Sequence, residues 1–130
     1  MNAGDTLYIP LPGTSLDSHR WVIISDPAVH PEQVVIVNMT SWRADKDQAC
    51  VLDPADFPVY ITHRTCINYF DAKTPSLTDL QRLQSTCSNF TVGAAVSPAL
   101  LQKIRDAIPD SRMKMGVVDI LVTQGVIDEP

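Results

Sequence analysis

The sequence predicts a mainly β domain with C-terminal α structure, a small barrel or sandwich followed by one or two helices. Three observations carry this. Five or six short, β-branched or apolar runs are separated by Pro, Gly and Asp at close intervals. Two of those runs, Arg20 to Ser25 and Val34 to Thr40, are apolar almost without interruption, the pattern of strands buried on both faces or closed into a barrel. After Ser97 the apolar spacing changes from strand-like to helical. The 130 residues suit one domain, with a barrel core at about 4–96 and a helical part at about 97–127.

The elements follow in order. Thr6 to Pro10 (TLYIP) reads as a short strand ended by Pro10 and Pro12-Gly13, and Pro12 to Ser18 as a loop. Arg20 to Ser25 is a second strand, stopped by Asp26-Pro27. Val34 to Thr40 (VVIVNMT) is a third. Ser41 to Gln48 is a polar loop, Ala49 to Leu52 a short strand, and Asp53 to Asp56 a turn. Pro58 to Ile61 and Thr65 to Phe70 are predicted as strands, with His63-Arg64 near their junction. Thr78 to Leu83 has helical composition. Phe90 to Val96 reads as a last strand, weakened by Gly93. Ser97-Pro98 is a helix start, with Ser as N-cap and Pro at the first helical position, and Leu100, Leu101, Ile104, Ala107 and Ile108 recur at helical spacing up to Pro109. Ser111 to Gly125 reads as a second helix, with Met113, Val117, Ile120 and Leu121 on one face. A strand through Val117 to Val122 is the competing reading. Asp128-Glu129-Pro130 is read as a frayed acidic tail.

Composition narrows the function. A net charge of −5 argues against holding duplex DNA by bulk electrostatics, yet leaves room for a local basic cleft that handles a single strand. No apolar run approaches membrane-spanning length. Cys50, Cys66 and Cys87 are odd in number and form no C-x-x-C pair, so reduced thiols in a cytoplasmic protein are expected rather than zinc or disulfides. His19, His30 and His63 lack metal-ligand spacing. Phosphate loops, nucleophile elbows and dinucleotide fingerprints are missing from the chain, so no metal or cofactor is expected. Cys66 follows His63 by three residues, a spacing that puts strand side chains on opposite faces.

The remaining candidate is the mouth of the second strand. RNA can be cleaved without metal, because its 2′-hydroxyl attacks the adjacent phosphate. The protein then supplies proton transfer and charge stabilisation. A guanidinium pairs with two phosphate oxygens, and a hydroxyl beside it adds a donor. Arg20 begins one apolar strand and Thr40-Ser41 ends the next. If the two strands are antiparallel neighbours, these residues share one rim. The alternative is a solvated Arg and an ordinary strand end. Arg20, Thr40 and His19 are the candidate catalytic residues, His19 as the local acid or base, since imidazoles as a class change charge near neutral pH. Ser41, Trp42, Arg43 and His63 are the candidate substrate-binding residues. Trp42 beside Arg43 can stack an unpaired base, or can simply cover the end of the barrel.

The order of these features resembles the PemK/MazF family of small ribonuclease toxins. The stretches concerned are Gly4 to Gly13 (GDTLYIPLPG), His19 to Ser25 (HRWVIIS), Val34 to Trp42 (VVIVNMTSW), Arg64 to Leu83 and the helix from Ser97 to Ile108, together about residues 4–108. The resemblance implies an SH3-like β-barrel with a C-terminal helix, a homodimer, metal-free cleavage of single-stranded RNA, and neutralisation by an antitoxin protein. It matches Arg20 to the arginine that stabilises the transition-state phosphate and Thr40 to the paired-strand hydroxyl, with Ser41 as the near alternative. Gly4-Asp5 matches a structural opening pair. The chain departs from the family where Trp21 replaces the usual Pro, where Asp17-Ser18-His19 precedes the Arg, and in a longer tail after Pro109. These departures keep two other readings open. One is a catalytically inactive barrel that acts as a protein-binding or regulatory module. The other is a structural domain whose Met113 to Ile127 segment packs on a partner copy.

Overall fold

A computed structural model describes residues 1–8 and 19–129 of the chain. Six strands form one antiparallel sheet: β1 (Thr6–Tyr8), β2 (Arg20–Ile23), β3 (Ile36–Ser41), β4 (Val51–Leu52), β5 (Thr65–Lys73) and β6 (Thr91–Gly93). Their order across the sheet is β4-β5-β3-β2-β1-β6. Helix α1 (Leu77–Thr86) lies between β5 and β6 in the chain, and α2 (Pro98–Asp106) and α3 (Met115–Thr123) follow β6. The fold is thus mainly β with helices. Its strands are hydrogen-bonded in series, and β4 and β6 stand at the two ends of that series.

The uninterrupted apolar runs are explained by burial on both faces. Alternation along β2 sends Trp21 and Ile23 to one side, where Leu7, Ile36, Phe90 and Leu80 of α1 complete a cluster. It sends Val22 to the other side, where Val37, Met39, Ile67 and Tyr69 meet Leu100 and Ile104 of α2 and Val118 and Leu121 of α3. The sheet is therefore a middle layer between α1 and the α2–α3 pair. The Tyr69 hydroxyl donates to the Ile104 carbonyl at 2.6 Å, fastening α2 to β5. Arg105 Nε donates to the Ile24 carbonyl at 2.8 Å and does the same for β2.

Local signals account for the helix ends. The Ser97 hydroxyl accepts from Leu100 N at 3.1 Å, with Pro98 at the first position. Ser76 caps α1 by accepting from Asp79 N, also at 3.1 Å, two residues before the stretch whose composition reads as helical. In α3 the strand alternative for Val117 to Val122 is overturned. Gly125 has φ +73°, its N–H donates to the Val122 carbonyl, and Val126 N–H reaches back to Leu121. That is a Schellman stop, which only an L-residue-averse left-handed position favouring Gly completes cheaply.

Other expectations change. The second C-terminal helix begins at Met115 rather than Ser111, with Lys114 as its N-cap, so Met113 packs from the preceding loop. Pro58 to Ile61 is not a strand. The amides of Tyr60 and Ile61 both donate to the Phe57 carbonyl, so this stretch turns, burying Ile61 and swinging Tyr60 toward β2. The last strand is shorter than predicted, Thr91–Gly93. The readings of Ile9-Pro10 as strand end, of Pro12 to Ser18 as loop, of Asp17 beside the site and of Pro130 in the tail lie outside the described residues.

Candidate functional site

β2 and β3 are antiparallel neighbours, with Arg20 opposite Met39. Arg20 and the end of β3 therefore do share a rim. Strand alternation places Ser41, two residues beyond Met39, on the Arg20 side of the sheet. A cleft of about 320 Å³ opens there, lined by His19, Arg20, Thr40, Ser41, Tyr60, His63 and Thr65 over the apolar floor of Met39 and Ile61. No carboxylate lines it among the described residues, and Arg20 gives it a positive charge in an acidic chain.

Arg20 is held rather than loose. Its guanidinium carbon lies 3.4 Å from the centroid of the Tyr60 ring and 5.4 Å from that of Tyr8. Nη1 donates to the Thr6 hydroxyl at 3.4 Å. Thr6 is fully buried and donates in turn to the Ala94 carbonyl at 2.9 Å. The Ala94 amide donates to the Tyr60 hydroxyl at 3.0 Å, closing the ring of contacts. Gly93 sits in the middle of it. A Cβ there would meet the Tyr60 hydroxyl and come within 2.8 Å of both Arg20 Nη1 and Thr6 Oγ1. Stacking uses the flat face of the guanidinium and leaves N–H donors on its edge for a ligand.

Comparisons with protein-family models, curated proteins and solved structures return no match for this chain. The functional reading accordingly rests on the cleft's own residues.

Of the predicted residues, the structure brings Arg20, His19, Thr40, Ser41 and His63 to one cleft. Ser41 Oγ and His63 Nε2 are 2.7 Å apart, and His63 Nδ1 is 3.2 Å from Thr62 Oγ1. Thr40 accepts from Lys46 Nζ at 2.7 Å, which leaves its own O–H free to donate. Trp42 and Arg43 are not part of that lining. The Trp42 ring is covered by Arg64 at 4.9 Å, its Nε1 donates to Gln48 Oε1 at 2.7 Å, and Arg43 pairs with Asp45 at 3.5 Å in solvent. Sequence reasoning missed Tyr60, Tyr8 and Thr6. Gly93 did carry a signal, because glycine inside a strand marks a close approach.

The three thiols are free. Cys50 and Cys66 are buried and Cys87 is partly so. Burial pushes the Cys50 thiol above its usual range, against the opposing pull of its hydrogen bond with Tyr69. Burial likewise raises Cys66. Raised thiols are poor nucleophiles, so neither is suited to covalent catalysis.

Proposed function

We propose that the chain is a metal-independent endoribonuclease of the toxin–antitoxin type acting on single-stranded RNA. The observation that supports it best is the convergence of a fixed guanidinium, two imidazoles and several hydroxyls on one cleft that no carboxylate lines among the described residues. In this reading the edge N–H groups of Arg20 hold the non-bridging oxygens of the scissile phosphate. The Ser41 hydroxyl, on Arg20's face of β3, donates to the same group, while Thr40 stands at the border with the next cleft. One of His19 and His63 takes the proton of the attacking 2′-hydroxyl. The other returns a proton to the departing 5′-oxygen, leaving a 2′,3′-cyclic phosphate.

The SH3-like barrel belongs to this proposal. Tyr60 follows β4 in the chain and Ala94 follows β6, so the hydrogen bond between them links the neighbourhoods of the two sheet edges at one seam. A homodimer and an antitoxin partner enter with the same resemblance, and a cytoplasmic location with the reading of the three thiols as reduced. No helix among the described residues is long and apolar enough to cross a membrane.

The test is incubation with mixed-sequence single-stranded RNA in EDTA. Parent protein should cut and leave cyclic phosphate ends, while Arg20→Ala and the solvent-exposed His63→Ala should not. If the parent leaves every RNA intact, the enzyme reading fails. The engagement of Arg20 with Tyr60 and Thr6 inside the protein favours a second reading, a silent barrel that binds a partner protein. Intact RNA together with capture of one defined partner, lost in Arg20→Ala, would establish it.

A further inference from the structure

Beyond Thr40 lies a second cleft of about 410 Å³, lined by Thr40, Lys46, Cys66, Asn68, Phe70 and Arg112 together with Asp45, Asp47 and Ile67. Thr40 is common to both clefts. Phe70 is 58% exposed, unusual for a large aromatic side chain in the middle of a strand. Lys114 Nζ stands 4.7 Å from its ring centroid. Lys46, Arg112 and Lys114 have no carboxylate partner among the described residues. Lys46 Nζ reaches Thr40, and the Arg112 guanidinium reaches the carbonyls of Asp45 and Lys46. The two acids of the cleft are already engaged. Asp45 pairs with Arg43, and buried Asp47 accepts from the amides of Ala49 and Arg112. With Asp45 paired to Arg43, a chain of net charge −5 thus sets three cations against the single charge of Asp47 beside one exposed ring, next to the cleft that holds Arg20.

We propose that this second cleft is a nucleotide subsite, taking the base and phosphate next to the scissile bond of a single-stranded RNA. The proposal rests on the ribonuclease reading for its direction, and on its own residues for its chemistry. The free face of Phe70 stacks the base. The Asn68 amide, a donor and an acceptor together, meets the base edge. Lys46, Arg112 and Lys114 take the phosphate. The shared wall at Thr40 makes neighbouring nucleotides of one strand the natural occupants of both clefts.

The test is binding of a fluorescein-labelled hexaribonucleotide with 2′-O-methyl groups, which cannot be cut because it lacks the attacking hydroxyl. Anisotropy gives Kd for parent, Phe70→Ala, Phe70→Trp and Lys114→Ala. Phe70→Ala should weaken binding roughly 5- to 150-fold, the range for one lost base stack, and Phe70→Trp should restore it. Lys114→Ala should flatten the dependence of log Kd on log salt by about 0.7, one phosphate contact to a single strand. Equal affinity of parent and Phe70→Ala, or no binding by the parent, overturns the subsite whatever the cleavage assay shows. Binding that needs Phe70 in a protein that cuts no RNA upholds the subsite while the nuclease reading fails alone.

Discussion

Gly93→Ala is the sharpest probe of the arginine cleft, because the added methyl lands where Tyr60, Arg20 and Thr6 meet. Two of these neighbours resist movement. Thr6 is fully buried and bonded to the Ala94 carbonyl, and the Tyr60 hydroxyl accepts from the Ala94 amide. The Arg20 end is the one that yields, and it yields by leaving its stack. Inserting one methyl into a filled site costs about 1–3 kcal/mol. Unfolding entropy of about 2.1 cal/mol/K per residue makes each kcal/mol worth about 4 °C in a chain of 130 residues. A fall in Tm of about 4–11 °C is expected by circular dichroism. RNA cleavage in EDTA, measured well below the new Tm, should drop at least about tenfold, since one hydrogen bond to a charged group is worth about 1.5–3 kcal/mol. Thr91→Ala, two residues earlier on the exposed edge of β6, is the control. An unchanged Tm with unchanged cleavage would refute the idea that packing around Gly93 fixes Arg20.

Other contacts of the fold give further expected outcomes. His63→Ala should shift Tm by no more than about 2 °C, as an exposed site, yet reduce cleavage by about 10²- to 10⁴-fold; full activity would return the acid–base work to His19 alone. Tyr69→Phe strands the buried Ile104 carbonyl and should cost about 1–3 kcal/mol in chemical denaturation; no loss would mean that water or another donor replaces the phenol. The Cys50 thiol is raised by burial from an ordinary value of 9.0, so the folded state holds its proton more tightly than the unfolded chain. That stability is fully present below about pH 9 and is lost as pH rises toward the folded value. Thermal melts between pH 8 and 10.5 should therefore fall more steeply for the parent than for Cys50→Ala, and parallel slopes would exclude the thiol as the source.

The sequence was most legible where one physical signal dominated. Apolar density placed β2 and β3, and Ser97-Pro98 placed the start of α2. The dense β-branching of Val117 to Val122 left helix and strand in competition, and the deciding residue was Gly125, outside the contested stretch. Pro58 to Ile61 misled because a short continuous apolar run reads alike as a strand and as a turn that buries only one of its residues. For the site, a rim shared by Arg20 and Thr40-Ser41 was readable from strand order, since antiparallel pairing sets the start of β2 beside the end of β3, but alternation gives Arg20's face to Ser41 rather than to Thr40, the residue expected there. The stack on Tyr60 was not, because it depends on a turn that brings residue 60 back to residue 20. Trp42, beside Arg43 in sequence, was drawn instead to Gln48 and Arg64.

The arginine cleft also has a history within each molecule. Its parts come from β1, β2, the turn after β4 and the strand β6, and the hydrogen bond from Thr6 to Ala94 joins residues 88 positions apart. Pairings so distant in the chain form late, because loop closure must precede any reward from contact. While a chain is still being synthesised, Arg20 has neither the Thr6–Ala94 brace nor the Tyr60–Ala94 clasp. On the ribonuclease reading, the nascent polypeptide is harmless to the message that encodes it. The cleft is complete only when β6 docks against β1.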